Sequence, residues 1–69
     1  MESIGNRITK YRKEKGLTQV ELSKISHVPR ICIARYEAGE HQPGMGNAQK
    51  LAAALGVTVD ELIGKEEAS

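Results

Sequence analysis

The chain has no tryptophan and no phenylalanine, and its only aromatic residues are two tyrosines, Tyr11 and Tyr36. Its core must therefore be aliphatic, built from Ile, Leu, Val and Ala. There is a single cysteine, Cys32, so no disulfide can form within the chain, which fits a reducing cytoplasm. The first residues, MESIGNRITK, hold no apolar stretch of the kind a secretory signal needs. No apolar run approaches the roughly 20 residues that span a membrane. No segment alternates apolar and polar positions over a useful length, so no sheet is expected. A length of 69 residues allows one small domain. At that size only about 60% of the unfolded surface is buried, and such domains often gain stability from oligomerisation.

Charge is balanced in sum and uneven in place. Net charge is +1, yet residues 1–36 hold eight Lys and Arg against three acidic residues, and residues 37–69 hold two against six. A basic half beside an acidic half suits a surface for an anionic partner, although ordinary scatter of surface charge gives the same count.

Glycines and capping residues divide the rest into short helices. Ser3 can cap a helix that carries Ile4, Ile8 and Tyr11, with Lys13 and Lys15 in its last turn and Gly16 to close it. In LTQVEL, Thr18 and Glu21 have the spacing of a capping box, and Leu17 and Leu22 that of a hydrophobic staple. This second helix should bury Leu22 and Ile25 and run to about Ser26. Pro29 suits the first turn of a third helix that ends before Gly39. A fourth carries Ala48, Leu51, Ala52 and Leu55 and stops at Gly56. VTVDEL repeats the earlier device, with Thr58 and Glu61 as capping box and Val57 and Leu62 as staple. The expectation is an all-α, compact five-helix domain over residues 1–69, with helices at about 3–15, 18–26, 29–38, 45–55 and 58–63 and a tail over 64–69.

The third helix poses a question. In HVPRICIARYE, Ile31 and Ile33 are two apart and cannot share a helix face. Only three residues, His27 to Pro29, separate the second and third helices, which forces a tight corner and hence a helix-turn-helix unit. In that unit Ile33 faces the core, and Arg30, Ile31, Ala34 and Arg35 form an outward stripe.

Taken in order, IGNRITKYRKEKGLTQVELS, then I-x-R-Y-E-x-G-x-x-x-P, then KLAAALGVTVDELI, the chain resembles the lambda-repressor-like helix-turn-helix domains, the Cro or Xre type, over about residues 4–63. The resemblance implies double-stranded DNA as partner, with the third helix in the major groove. It implies base contacts by Arg30, Ile31, Ala34 and Arg35, and phosphate contacts by Thr18, Gln19, Gln42 and Asn47. The chemistry agrees: arginine bridges guanine O6 and N7, and an apolar side chain such as Ile31 rests on a thymine methyl. Ile31 is equally suited to a protein interface or to partial packing. The resemblance also pairs Arg12 with Glu37, joining the first helix to the end of the third.

Some positions depart from the family pattern. His27 stands where glycine is usual between helices two and three, a site that needs positive φ. Pro29 replaces a capping serine, Ser23 an alanine at a close helix contact, and Gly44 and Gly46 polar residues at the start of helix four. Ala48 stands for a bulkier apolar residue.

Val59 and Ile63 are four apart on the last helix and can form a self-complementary patch for a homodimer, or can simply complete the monomer core. His27, His41 and Cys32 are the candidates for nucleophilic or metal chemistry, but they have no orienting third group and no ligand spacing. No catalytic residue, metal or cofactor is expected. The expected function is a sequence-specific transcriptional regulator acting as a homodimer on a two-fold symmetric operator, in the cytoplasm of a bacterial or phage-type system, with a regulatory protein as a further possible partner. The alternative is a protein-binding module of the same fold, an antirepressor or coactivator.

Overall fold

The computed structural model describes residues 3–64. Five helices follow in order: α1 Ile4–Glu14, α2 Gln19–Ser26, α3 Arg30–Glu37, α4 Met45–Leu55 and α5 Val59–Ile63. No strand occurs among the described residues. The sequence-based limits differ from these mainly in counting caps. Ser3 and Lys15 flank α1, Pro29 and Ala38 flank α3, and Thr18 and Thr58 precede α2 and α5. The expected tail begins at Gly64, which caps α5 in the left-handed conformation, and otherwise lies outside the described residues.

The two capping boxes form as their spacing predicts. Glu21 N–H donates to Thr18 Oγ1 at 3.0 Å, and Thr18 N–H donates back to Glu21 Oε1 at 2.9 Å. The same pair of bonds joins Thr58 and Glu61 at 3.0 and 2.8 Å. Each box satisfies two donors that a helix start otherwise leaves open, worth about 1 kcal/mol per cap.

Ile8, Leu22, Val28, Ile33, Tyr36, Leu51, Ala52, Leu55 and Leu62 are buried together in one cluster. Leu17, Val57 and Val59 pack against it from the helix entries. Ile25 does not take part: it is 52% exposed, against the expectation that it would be buried. The inward positions of α2 are Leu22 and, four residues on, Ser26, which is 4% exposed. Ile25 falls about 60° to one side of Leu22, away from Ser26, at 100° per residue. The register therefore places a serine inside and an isoleucine outside.

That serine belongs to the corner between α2 and α3. Ser26 Oγ accepts from Val28 N–H at 3.2 Å, and Ser23 Oγ donates to the Val28 carbonyl at 2.7 Å. Both bonds close the turn locally and let Val28 drop into the core. His27 turns the chain with φ 63° and ψ 23°, the only non-glycine residue with positive φ among the described residues. Pro29 lies one position outside α3, not in its first turn: its φ of −54° is helical, but its ψ of 140° is extended. Its carbonyl accepts from Cys32 and Ile33 N–H at 3.0 and 3.2 Å, which makes it the cap residue.

Where α1 crosses α3, Gly5 is buried, and a Cβ there would run into the Tyr36 carbonyl oxygen. The absence of a side chain lets the two backbones approach this closely.

Candidate nucleic-acid interface

At 100° per residue, Ile33 and Tyr36 lie on one side of α3 and Ile31, Ala34 and Arg35 on the other, while Arg30 and Glu37, seven residues apart, share one border between the two sides. Burial follows the same division. Ile33 and Tyr36 are buried, Arg30 and Arg35 are exposed, Ala34 is half-buried, and Ile31 is 53% exposed. The outward stripe thus has an apolar middle with a guanidinium at each end. Two bidentate donors and one methyl-sized contact surface are what base edges in a major groove can be read by.

The far end of this stripe borders a shallow cleft of about 180 Å³, lined by Cys32, Arg35, Tyr36, His41 and Gln42. Gln42 is exposed on its rim. Asn47, near the start of α4, donates through Nδ2 to Tyr36 Oη at 2.8 Å and so ties α4 to the end of α3. Neither residue stands out by spacing, so the bond has no separate signal in the sequence. Cys32 is half-buried beside the cleft and forms no disulfide. Among the described residues no three His, Cys, Asp or Glu side chains gather to hold a metal ion.

Behind the stripe lies a connected polar cluster built on Arg12, Gln19 and Glu37. Arg12 Nε donates to Glu37 Oε2 at 2.7 Å and Arg12 Nη2 to Glu37 Oε1 at 3.0 Å, a two-pronged pair whose side chains are 13% and 8% exposed. Arg12 Nη1 donates further to the Leu17 carbonyl at 2.8 Å, just ahead of the α2 cap. Gln19, the first residue of α2, donates through Nε2 to Glu37 Oε1 at 2.9 Å. Burial alone pushes the Glu37 carboxyl up. The hydrogen bonds from Arg12 and Gln19, with the Arg12 charge and a smaller effect of the Thr9 hydroxyl, outweigh it and hold the group below the usual carboxylate range. The bond to Glu37 raises Arg12 in turn, against the opposing effect of burial. Spacing alone did not reveal that Gln19 joins this cluster, since the residues meet only through the fold.

Of the remaining candidates, Thr18 is occupied in its capping box, and Val59 packs against the core from α5 with Ile63 half-buried beside it. No helix among the described residues is long and apolar enough to cross a membrane.

The helix-turn-helix family model matches residues 8–62. The chain belongs to this family, in its lambda-repressor-like, Cro/C1 type. This helix-turn-helix domain is 34% identical over 64 residues, 93% of its length, to the immunity repressor protein of Bacillus phage phi105, of which it spans 44%. It likewise spans between 31% and 55% of three other curated relatives. Its fold is similar to that of the P22 c2 repressor in complex with a synthetic operator, with a TM-score of 0.87 and 29% identity over 94% of this chain and 98% of that one. It is also similar to a chain of the SinR protein/SinI protein complex, with a TM-score of 0.86 and 32% identity over 94% and 64%.

Proposed function

We propose that the domain binds double-stranded DNA as the reading part of a transcriptional regulator, with α3 in the major groove. The observation that carries this reading is the outward stripe of α3, Arg30, Ile31, Ala34 and Arg35, backed by a buried face that fixes its orientation. Likeness to a repressor described with its operator supports it. Arg30 and Arg35 take guanine edges, Ile31 a thymine methyl, and Ala34 allows close approach between them. Gln19, Thr18, Gln42 and Asn47 flank the stripe as phosphate contacts that set register without reading sequence.

A single helix reads too few base pairs for specificity, so the domain acts as a homodimer on half-sites roughly 34 Å apart. Val59 and Ile63 on α5 are the proposed contact. Selection of bound sequences from a random duplex pool tests the proposal: a two-fold symmetric consensus is expected, and no enrichment would overturn it.

A second reading is a protein-binding module of the same fold. The likeness to a chain of the SinR protein/SinI protein complex favours it, as do the exposed apolar side chains Val20, Ile25 and Ile31. Salt separates the two. DNA affinity falls steeply as salt rises, by roughly 0.9 log units per log unit of salt for each phosphate neutralised by Lys or Arg, whereas an apolar contact is far less sensitive.

A further inference from the structure

Resting on the DNA-binding reading above, we infer that Glu37 is a positioning residue that sets which way the Gln19 amide faces and so makes Gln19 a donor to a DNA phosphate. A carboxylate ionised at neutral pH has only acceptors. Glu37 Oε1 lies 2.9 Å from Gln19 Nε2, so the amide nitrogen, not its oxygen, must face the carboxylate. One of the two Nε2 protons is taken by that bond. The other remains for a phosphate oxygen, which can only accept.

Without the carboxylate the amide is free to flip. It would then offer its oxygen to the phosphate in part of the population, where two acceptors meet with no proton between them and repel.

The carboxylate can do this work because it is itself fixed. Arg12 holds both of its oxygens, and Arg12 is in turn bound to the Leu17 carbonyl at the entry to α2. Its charge is neutralised in place, so it brings no net repulsion toward a polyanion. Glu37 sits at the end of α3 and Gln19 at the start of α2. The bond therefore also relates the phosphate contact to the helix that reads bases. A residue buried beneath the surface thus governs a contact made at the surface.

The sign of one substitution separates this role from a structural one. Glu37→Gln leaves Arg12 uncompensated and makes the chain one charge more positive. Electrostatics alone then strengthens binding to any duplex. Loss of positioning weakens it.

The experiment measures affinity of the full chain for a random-sequence duplex at fixed salt, for wild type, Gln19→Ala, Glu37→Gln and the double variant, with helicity checked by circular dichroism. The expected result is a roughly tenfold loss for each single variant, the scale of one hydrogen bond to a charged group, and no further loss in the double. A Glu37→Gln chain that is folded and binds as tightly as wild type, or tighter, overturns the inference. So does a double variant whose losses add. If Gln19→Ala binds like wild type, the positioning role falls while the DNA reading stands. If wild type binds no duplex at low salt, the DNA reading itself falls.

Should Glu37→Gln not fold, the wild-type chain decides by NMR. One Gln19 side-chain proton is expected downfield of those of the exposed Gln42 and Gln49, and added duplex is expected to move the other. Two protons at ordinary glutamine positions, both unmoved by duplex, overturn the inference.

Discussion

Arg12 and Glu37 stand 25 residues apart in the chain and meet in a two-pronged pair, Nε to Oε2 at 2.7 Å and Nη2 to Oε1 at 3.0 Å. An exposed ion pair contributes almost nothing. This one is largely covered, with the two side chains 13% and 8% exposed, so removing one partner strands the other's charge. Glu37→Gln is expected to cost about 2–3 kcal/mol at pH 7, measured by urea unfolding. The pH dependence follows from the lowered carboxyl. The stabilisation is fully present above the unfolded-state value, about 4.3, and is lost as pH falls through the lower folded-state value. The gap between wild type and Glu37→Gln should therefore close on acidification, and a gap that stays constant from pH 7 to below pH 4 would contradict the pair's role.

His27 holds φ 63° at the α2–α3 corner, where a Cβ is disfavoured. His27→Gly is expected to stabilise the domain by about 1 kcal/mol through relief of that strain, offset in part by glycine's greater unfolded-state freedom. A fall in melting temperature would show that the imidazole makes a contribution larger than the strain.

Gly5 is the converse case. With the Tyr36 carbonyl where a Cβ would lie, Gly5→Ala must push α1 away from α3, although alanine is the better helix former. A loss of about 1–3 kcal/mol is expected from overpacking. A stabilised variant would mean that the crossing is looser than it stands.

Arg30 and Arg35 are exposed, so replacing either with alanine should leave helicity and melting near wild type. Each should cost about 1–3 kcal/mol of binding to the selected operator and relax the sequence preference at its own positions. Retained operator affinity in both variants would remove α3 from the reading role. Gln19→Ala should instead weaken all sequences alike.

Val59→Asp with Ile63→Asp tests the dimer. Val59 also packs against the core, so Ile63→Asp alone serves as the milder variant. Sedimentation is expected to show a folded monomer that binds single half-sites weakly. A double variant that remains dimeric would place the interface elsewhere.

The features legible in the sequence are those decided within a few residues. Thr18 with Glu21, Thr58 with Glu61, the left-handed Gly16 and the helix ends at Gly56 and Gly64 follow from local backbone chemistry, whereas the positive φ of His27 is legible only through the family pattern, in which glycine is usual at that corner. The outward face of α3 follows from periodicity once the short corner is recognised. Ile25 shows where this fails. Its apolarity suggests burial, but the register of α2 is set by Leu22 and by the serine that closes the corner. Gly5 reads as a weak point in α1 until α3 is laid across it. The Gln19–Glu37 and Asn47–Tyr36 bonds join residues 18 and 11 apart, and neither spacing has a period that local reasoning can detect.

The corner built from Ser23, Ser26 and Val28 uses hydrogen bonds between residues no more than five apart. Closing so short a loop costs little chain entropy, so α2 and α3 can reach their mutual angle early in folding, before α1 is in place. The Arg12–Glu37 clasp spans 25 residues and has to wait for that angle. Damage to the corner should accordingly slow folding, and damage to the clasp should mainly hasten unfolding. Unfolding-rate measurements on Glu37→Gln and folding-rate measurements on Ser23→Ala are expected to show the lifetime of the folded domain responding to a contact distant in the chain, and its rate of appearance to a turn of three residues.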